Sequence, residues 1–173
     1  MIAGQEVVDK IRQVPTDNKG PHQNVPMEPI VIISARTNWF AAEFPESQYN
    51  QLAKTGNTEL AGQAFLKTRG GEIRYAAGNT VFLEPATQYA KDYYNIQGYN
   101  PFPLSYGNSR AATYSRSTIA DAEGRFDFKN VPQGEYFLVT SVTWEVAGKR
   151  QGGTLVKQIN VNNEPSLKVV ISE

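Results

Sequence analysis

Residues 117–140 read STIADAEGRFDFKNVPQGEYFLVT. Phe126 and Phe128 alternate with Arg125, Asp127 and Lys129, the period-two pattern of a strand with one buried face. Asp121 to Gly124 precede that strand, and a glycine in fourth place supplies the left-handed residue that a type I turn with a bulge requires. The sequence therefore predicts a hairpin around this turn. Eight residues further on, Pro132 fixes φ and Gly134 permits φ above zero, so VPQG reads as a second tight turn leading into another alternating run. Asp121, Gly124, Pro132 and Gly134 are thus structural turn residues.

The next segment, GEYFLVTSVTWEVAG, sets Tyr136, Leu138, Val142, Trp144 and Val146 on one face with Thr140 among them, and Ser141, Thr143 and Glu145 on a wet face. At the end of the chain Leu167, Val169 and Ile171 again alternate with polar residues in PSLKVVISE. Shorter candidates are Glu59–Thr68, Thr80–Pro85, Ala112–Ile119, Arg125–Phe128 and Gly153–Val161. The sum is about seven strands with turn signals at the spacing of a sandwich. The predicted fold is all-β, a seven-stranded antiparallel Greek-key sandwich over 59–173. Asp121, Glu123 and Asp127 have a spacing reminiscent of a calcium loop, but such a site needs about six oxygens, and turn and solvent roles account for these three.

A chain of 173 residues holds one domain with a full core plus an appendage. Seventeen Lys and Arg balance seventeen Asp and Glu, which gives no electrostatic reason to expect nucleic acid or an anionic membrane as partner. Cysteine is absent, and with it disulfides, thiolate nucleophiles and thiolate metal ligands; the compartment stays open. No apolar run reaches the roughly 18 to 20 residues that span a bilayer, and Met1 is not followed by the charged and apolar regions of an export signal. The expectation is a chain with no membrane span and no signal peptide.

The pattern T-x-A-D-x-x-G-x-F-x-F-x-x-V-P-x-G-x-Y-x-L in 118–138 resembles the core motif of carboxypeptidase regulatory-like domains, the transthyretin-like sandwiches. GQAFLKTRGGEIRYAAGNTVFLEPAT, residues 62–87, is similar to their opening strands. The resemblance covers 59–173 and implies a fold; the same sandwich serves many tasks. It also implies kinship with small bacterial envelope-associated proteins, hence a periplasmic or envelope location. Collagen-adhesin B-type relatives form a Lys–Asn isopeptide bond assisted by a Glu after the Y-x-L pair, but Thr140 stands there. Hydroxyisourate hydrolases end in Tyr-Arg-Gly-Ser and use several histidines, whereas this chain ends VVISE and has His22 alone.

Residues 4–36, GQEVVDKIRQVPTDNKGPHQNVPMEPIVIISAR, resemble the C-terminal tail of bacterial cyclophilin-type peptidyl-prolyl isomerases. The barrel and catalytic face of that family lie upstream of its tail, so the resemblance implies isomerase ancestry with no isomerase activity. Val7, Val8, Ile11 and Val14 form an apolar stripe on a helix too short to stand alone. Ile30 and Ile32 face one way and Val31 and Ile33 the other, as suits a strand covered on both sides. Residues 29–36 are thus expected to add to a sandwich edge or to pair between chains in a homodimer, the alternative being a disordered tail. The predicted organisation is a remnant over 1–37, a linker over 38–58 with a short helix at Glu46–Lys54, and the sandwich over 59–173. Trp39, Phe40 and Phe44 are expected to cap one open end of its core.

The most unusual composition is QYAKDYYNIQGYNPFPLSY, residues 88–106, which reads as a long loop between strands. It carries Tyr89, Tyr93, Tyr94, Tyr99, Phe102 and Tyr106, five of the chain's nine tyrosines among them. Tyrosines give large contact area with a polar tip, so this is the candidate binding surface for a protein or glycan. The competing reading packs these rings back on the sandwich as a satellite core, because a loop this aromatic must bury some of them. No serine has a histidine near it in sequence, no paired-histidine motif occurs, and KTRGGEIRY lacks the spacing of a phosphate loop and reads as a turn. The sequence therefore points to a non-enzymatic binding or structural module with no cofactor and no metal. A carbohydrate-binding module and an isomerase-related protein are the alternatives.

Overall fold

The structure is a computed structural model and describes residues 5–30, 42–97 and 101–172. The chain divides into two units, 1–38 and 39–173. In the first, helix α1 (Gln5–Arg12) is followed by a hairpin of β1 (Thr16–Lys19) and β2 (His22–Pro26), with Thr16 opposite Pro26. The hairpin lies within the stretch that reads from sequence as a connection or a disordered tail; Gly20, at φ 58°, supplies the turn. His22 is exposed on β2. From Val31 onward the strand predicted over 29–36 lies outside the described residues, as do Trp39 and Phe40.

The second unit is a two-layer sandwich. One sheet has β3 (Thr58–Lys67) at its centre, pairing with β10 (Ser166–Ile171), β7 (Arg125–Val131) and the short β4 (Ile73–Tyr75). The other runs β6 (Arg116–Ile119), β5 (Thr80–Pro85), β8 (Gly134–Val146), β9 (Lys149–Val161). Leu60, Leu83, Leu138, Val142, Leu155 and Ile171 are buried between them. The all-β sandwich predicted from the alternating pattern is present, with two differences. There are eight strands among the described residues, because β4 follows the Gly70–Gly71 turn that reads as turn alone, and the β3–β10 pair is parallel within otherwise antiparallel sheets. Terminal β10 follows directly after β9, yet it enters the opposite layer, where β3 runs the same way.

The decisive stretch forms its turns and no hairpin. Asp121 Oδ1 accepts from the amides of Glu123 (2.9 Å) and Arg125 (2.8 Å), Gly124 N donates to Asp121 O (3.0 Å), and Gly124 has φ 72°. A Cβ on Gly124 would lie 2.4 Å from Ala64 O, so close approach to β3 excludes any other residue as firmly as the backbone angle does. The Asp121 carboxyl is held below the usual range, first by the Arg125 amide. The two flanking strands, however, pair in different sheets, β6 with β5 and β7 with β3. The turn carries the chain from one layer to the other, and Pro132–Gly134 carries it back, since β8 pairs with β5. These are the corners of a Greek key.

Strand ends also differ from the sequence reading. Ala112 closes a helix, so β6 begins at Arg116, and β7 continues past Phe128 to Val131. β9 begins at Lys149, four residues before the predicted Gly153, because Gly152 and Gly153 sit inside the ladder opposite Thr143 and Val142. Thr140, on β8, is 2% exposed and donates to Thr80 O (2.9 Å), an inter-strand role for the residue standing where an isopeptide-forming relative has its acid.

Candidate functional site

The expectation of one wet face on β8 fails at its middle. Phe137 and Val139, on the outer face, are buried beside Leu138 and Thr140 on the inner one. What covers them is the Tyr-rich segment, which is helical where a loop was predicted: α3 (Gln88–Gln97), α4 (Leu104–Gly107) and α5 (Ser109–Ala112), joined by α2 (Glu46–Asn50). Thr87 starts α3, its hydroxyl accepting from Ala90 N (3.2 Å). Tyr89, Ala90, Tyr93 and Tyr94 fall at i, i+1, i+4 and i+5, one face of a helix, and all four are buried. That spacing, with its capping Thr87, is the signal by which sequence could have found the helix.

The rings pack as aromatic pairs do, edge-on or offset. Tyr94 meets Phe137 at 4.7 Å and Tyr93 at 5.1 Å, and Phe44 lies against Tyr49 at 4.6 Å and edge-on to Tyr89 at 5.5 Å. Phe44 therefore belongs to this second core and does not cap an open end of the first. Burial pushes the Tyr49 and Tyr93 phenols up to about 12 and raises Tyr94 further, burial acting first there and Glu84 next.

Glu84 fastens the cap to the sheet. Its side chain rises from β5 into the second core, where it is 1% exposed. Tyr94 OH donates to one carboxylate oxygen at 2.5 Å, Leu104 N donates to the same oxygen at 3.3 Å, and Ser105 N donates to the other at 3.1 Å. A buried carboxylate is tolerable when its lone pairs are filled in this way, and here it also accepts from the first amides of α4. Asn108 adds a second tie, accepting from Arg110 N and Ala111 N and donating to Tyr89 OH at 2.8 Å. Sequence reading missed Glu84 and Asn108, because neither sits in a motif.

Of the six predicted surface residues, Tyr89, Tyr93 and Tyr94 are withdrawn into the cap and Tyr99 lies outside the described residues. Phe102 and Tyr106 are each 68% exposed. They stand at the border where the cap ends and the outer face of the sheet opens, with Tyr106 set edge-on to Phe82 at 5.1 Å. Between them and the sheet runs a cleft of about 460 Å³ whose other walls include Asn79, Ser141, Thr143, Arg150 and Thr154. Exposed rings beside hydroxyl, amide and guanidinium groups make a surface that can bind through stacking and hydrogen bonds together. A second depression, a groove of about 1380 Å³, also follows β9 and shares Gly152, Gly153 and Thr154 with the cleft. Among the described residues no cluster of His, Asp and Glu has the geometry of a metal site, and no helix is long and apolar enough to cross a membrane.

The fold and cleft define an all-β sandwich module carrying a helical aromatic cap. A solved structure from Pseudomonas aeruginosa, provisionally described as a carbohydrate binding protein, is 32% identical with a TM-score of 0.65, over 76% of this chain and 99% of that one. The chain belongs to the same family as that protein. At its other end, 36 residues are 61% identical to peptidyl-prolyl cis-trans isomerase A of Dickeya dadantii and 56% identical to a peptidyl-prolyl cis-trans isomerase of Acinetobacter baylyi. That match takes in 21% of this chain, and the chain spans about a fifth (19%) of the length of either isomerase. No protein-family model matches the chain.

Proposed function

We propose that residues 39–173 are a glycan-binding module of the bacterial envelope, which grips neutral sugar rings in the cleft beside Phe102 and Tyr106. The observation that carries this reading is the pair of rings, each 68% exposed, at the rim of a cleft whose sheet side is hydroxyl-bearing. Large aromatic rings left in water cost free energy unless a partner covers them. The apolar face of a sugar ring covers an aromatic while its hydroxyls reach Ser141, Thr143, Thr154 and Arg150. The family relative described provisionally as carbohydrate binding supports the same class of ligand. The motif in 118–138, the Greek-key corners and Thr140 in place of an acid support descent from carboxypeptidase regulatory-like domains without isopeptide chemistry.

A glycan array tests the reading. Phe102→Ala and Tyr106→Ala are each expected to weaken the best neutral glycan by about tenfold, roughly 1.4 kcal/mol, with the melting temperature unchanged because both rings are exposed. An array on which the intact chain retains no neutral glycan overturns the proposal.

The N-terminal unit is, on this reading, isomerase ancestry without turnover. Its match to the isomerases covers 36 residues, far short of a barrel that could hold a prolyl substrate.

A further inference from the structure

The groove along β9 has a composition the whole chain does not share. Seventeen basic and seventeen acidic side chains balance overall, yet the groove is lined by Lys67, Arg69, Lys91 and Lys149 and by no carboxylate among the described residues. Lys91 is engaged by Glu135 at 2.5 Å, whereas Lys67, Arg69 and Lys149 form no ion pair among the described residues. Unneutralised cations gathered in one concavity raise the local concentration of anions. Between them lie Asn95 and Gln151, whose amides both donate and accept as sugar hydroxyls require, and Gln158, whose amide nitrogen donates to Glu135 at 3.4 Å. The wall follows β9 from Lys149 to Gln158, about 30 Å of extended chain, which suits a linear polymer better than a single residue.

β9 is the last strand of its sheet, and an edge strand can also receive an added peptide strand. Two features act against that here. Gly152 has φ 83° in mid-strand, which interrupts the extended backbone that an added strand would follow, and Lys149 and Arg150 stand at the edge as charges that deter pairing. From the charge, the length and the blunted edge we infer that this groove binds an anionic polysaccharide, its carboxylate or sulfate groups held by Lys67, Arg69 and Lys149 and its hydroxyls by the flanking amides.

The inference rests on the reading of the sandwich as a glycan binder, but it uses other side chains, Lys67, Arg69 and Lys149, none of which lines the aromatic cleft. The test is calorimetric titration of the full chain with polygalacturonate, dextran sulfate, neutral dextran and polyglutamate. Polygalacturonate, dextran sulfate or both are expected to bind with an affinity that falls steeply with added salt, and the two arms identify which acid group is preferred. The triple variant Lys67→Gln, Arg69→Gln, Lys149→Gln is expected to lose at least tenfold in that affinity, while Phe102→Ala leaves it within twofold. All three replaced side chains are exposed, so the fold is retained, and an unchanged melting temperature checks this. Failure of both anionic polysaccharides to bind overturns the inference and leaves neutral-glycan binding at the aromatic cleft standing. Polyglutamate binding as tightly as the polysaccharides overturns it in favour of an acidic peptide, and an undiminished affinity in the triple variant overturns the assignment to this groove.

Discussion

Glu84 is the residue on which the cap depends. Its two oxygens accept from a phenol and two amides; Leu104 N also donates to Tyr94 OH at 3.0 Å, so the Tyr94 hydroxyl and Ser105 N are the donors that lose their acceptor without Glu84, each at a cost of about 1–3 kcal/mol. Glu84→Ala is therefore expected to lower stability by about 3 kcal/mol in urea titration, and Tyr94→Phe by about 1 kcal/mol. Because both remove the same bond, the double variant is expected to fall short of the sum, which a double-mutant cycle reads directly. The tyrosines give a second expectation at this scale. Tyr49 and Tyr93 ionise at about 12 in the folded protein against 10.0 for a free phenol, and Tyr94 is raised beyond them. An acid whose folded pKa is raised adds stability that is complete below the unfolded value and lost as pH climbs through the folded one. The melting temperature is thus expected to hold up to about pH 10 and to fall between about pH 10 and 12, in step with the rise of tyrosinate absorbance. A tyrosinate signal that develops fully with no loss of fold contradicts the buried placement.

Elements show which parts of the architecture the sequence could disclose. Alternation names β3, β5, β8, β9 and β10 because burial on one face has period two, a local property of the chain. Partner choice is not local. The turn at Asp121–Gly124 is legible in its residues, but whether the strands beside it pair or part is decided by β3 and β5, through Gln63 opposite Arg125, 62 residues on, and Thr80 opposite Ile119, 39 residues on. The cap was readable in principle from Thr87 and the spacing of its tyrosines, yet an aromatic run rich in Asn, Gly and Pro reads first as loop. The 13-residue strands β8 and β9 are joined by Ala147 and Gly148 alone, with φ of 50° and 71°. This two-residue turn needs positive φ at both places, and alanine adopts it at a cost of about 1–2 kcal/mol. Ala147→Asn creates the preferred Asn-Gly pair and is expected to raise stability by about 0.5–1 kcal/mol, measured as a higher urea midpoint at constant slope.

At the scale of the whole molecule, the two units differ in what holds them. The sandwich unit buries two cores, one between its sheets and one beneath its cap. In the N-terminal unit every described side chain from Asp9 to Ile30 is exposed or only part-buried, and Ile11 and Met27 remain 41% and 61% exposed. An eight-residue helix and a two-stranded hairpin with that little burial cannot carry a cooperative transition of their own. The melting transition should therefore belong to residues 39–173. A chain beginning at Trp39 is expected to keep a single transition within a few degrees of the full-length value and the same β-type circular dichroism, and to bind glycans as the full chain does. The full chain is expected to turn over a prolyl peptide no faster than solvent. A shortened chain that melts far lower would mean that the first 38 residues supply core to the sandwich, and measurable isomerisation would mean that a chain sharing 36 residues with the isomerases also shares their activity.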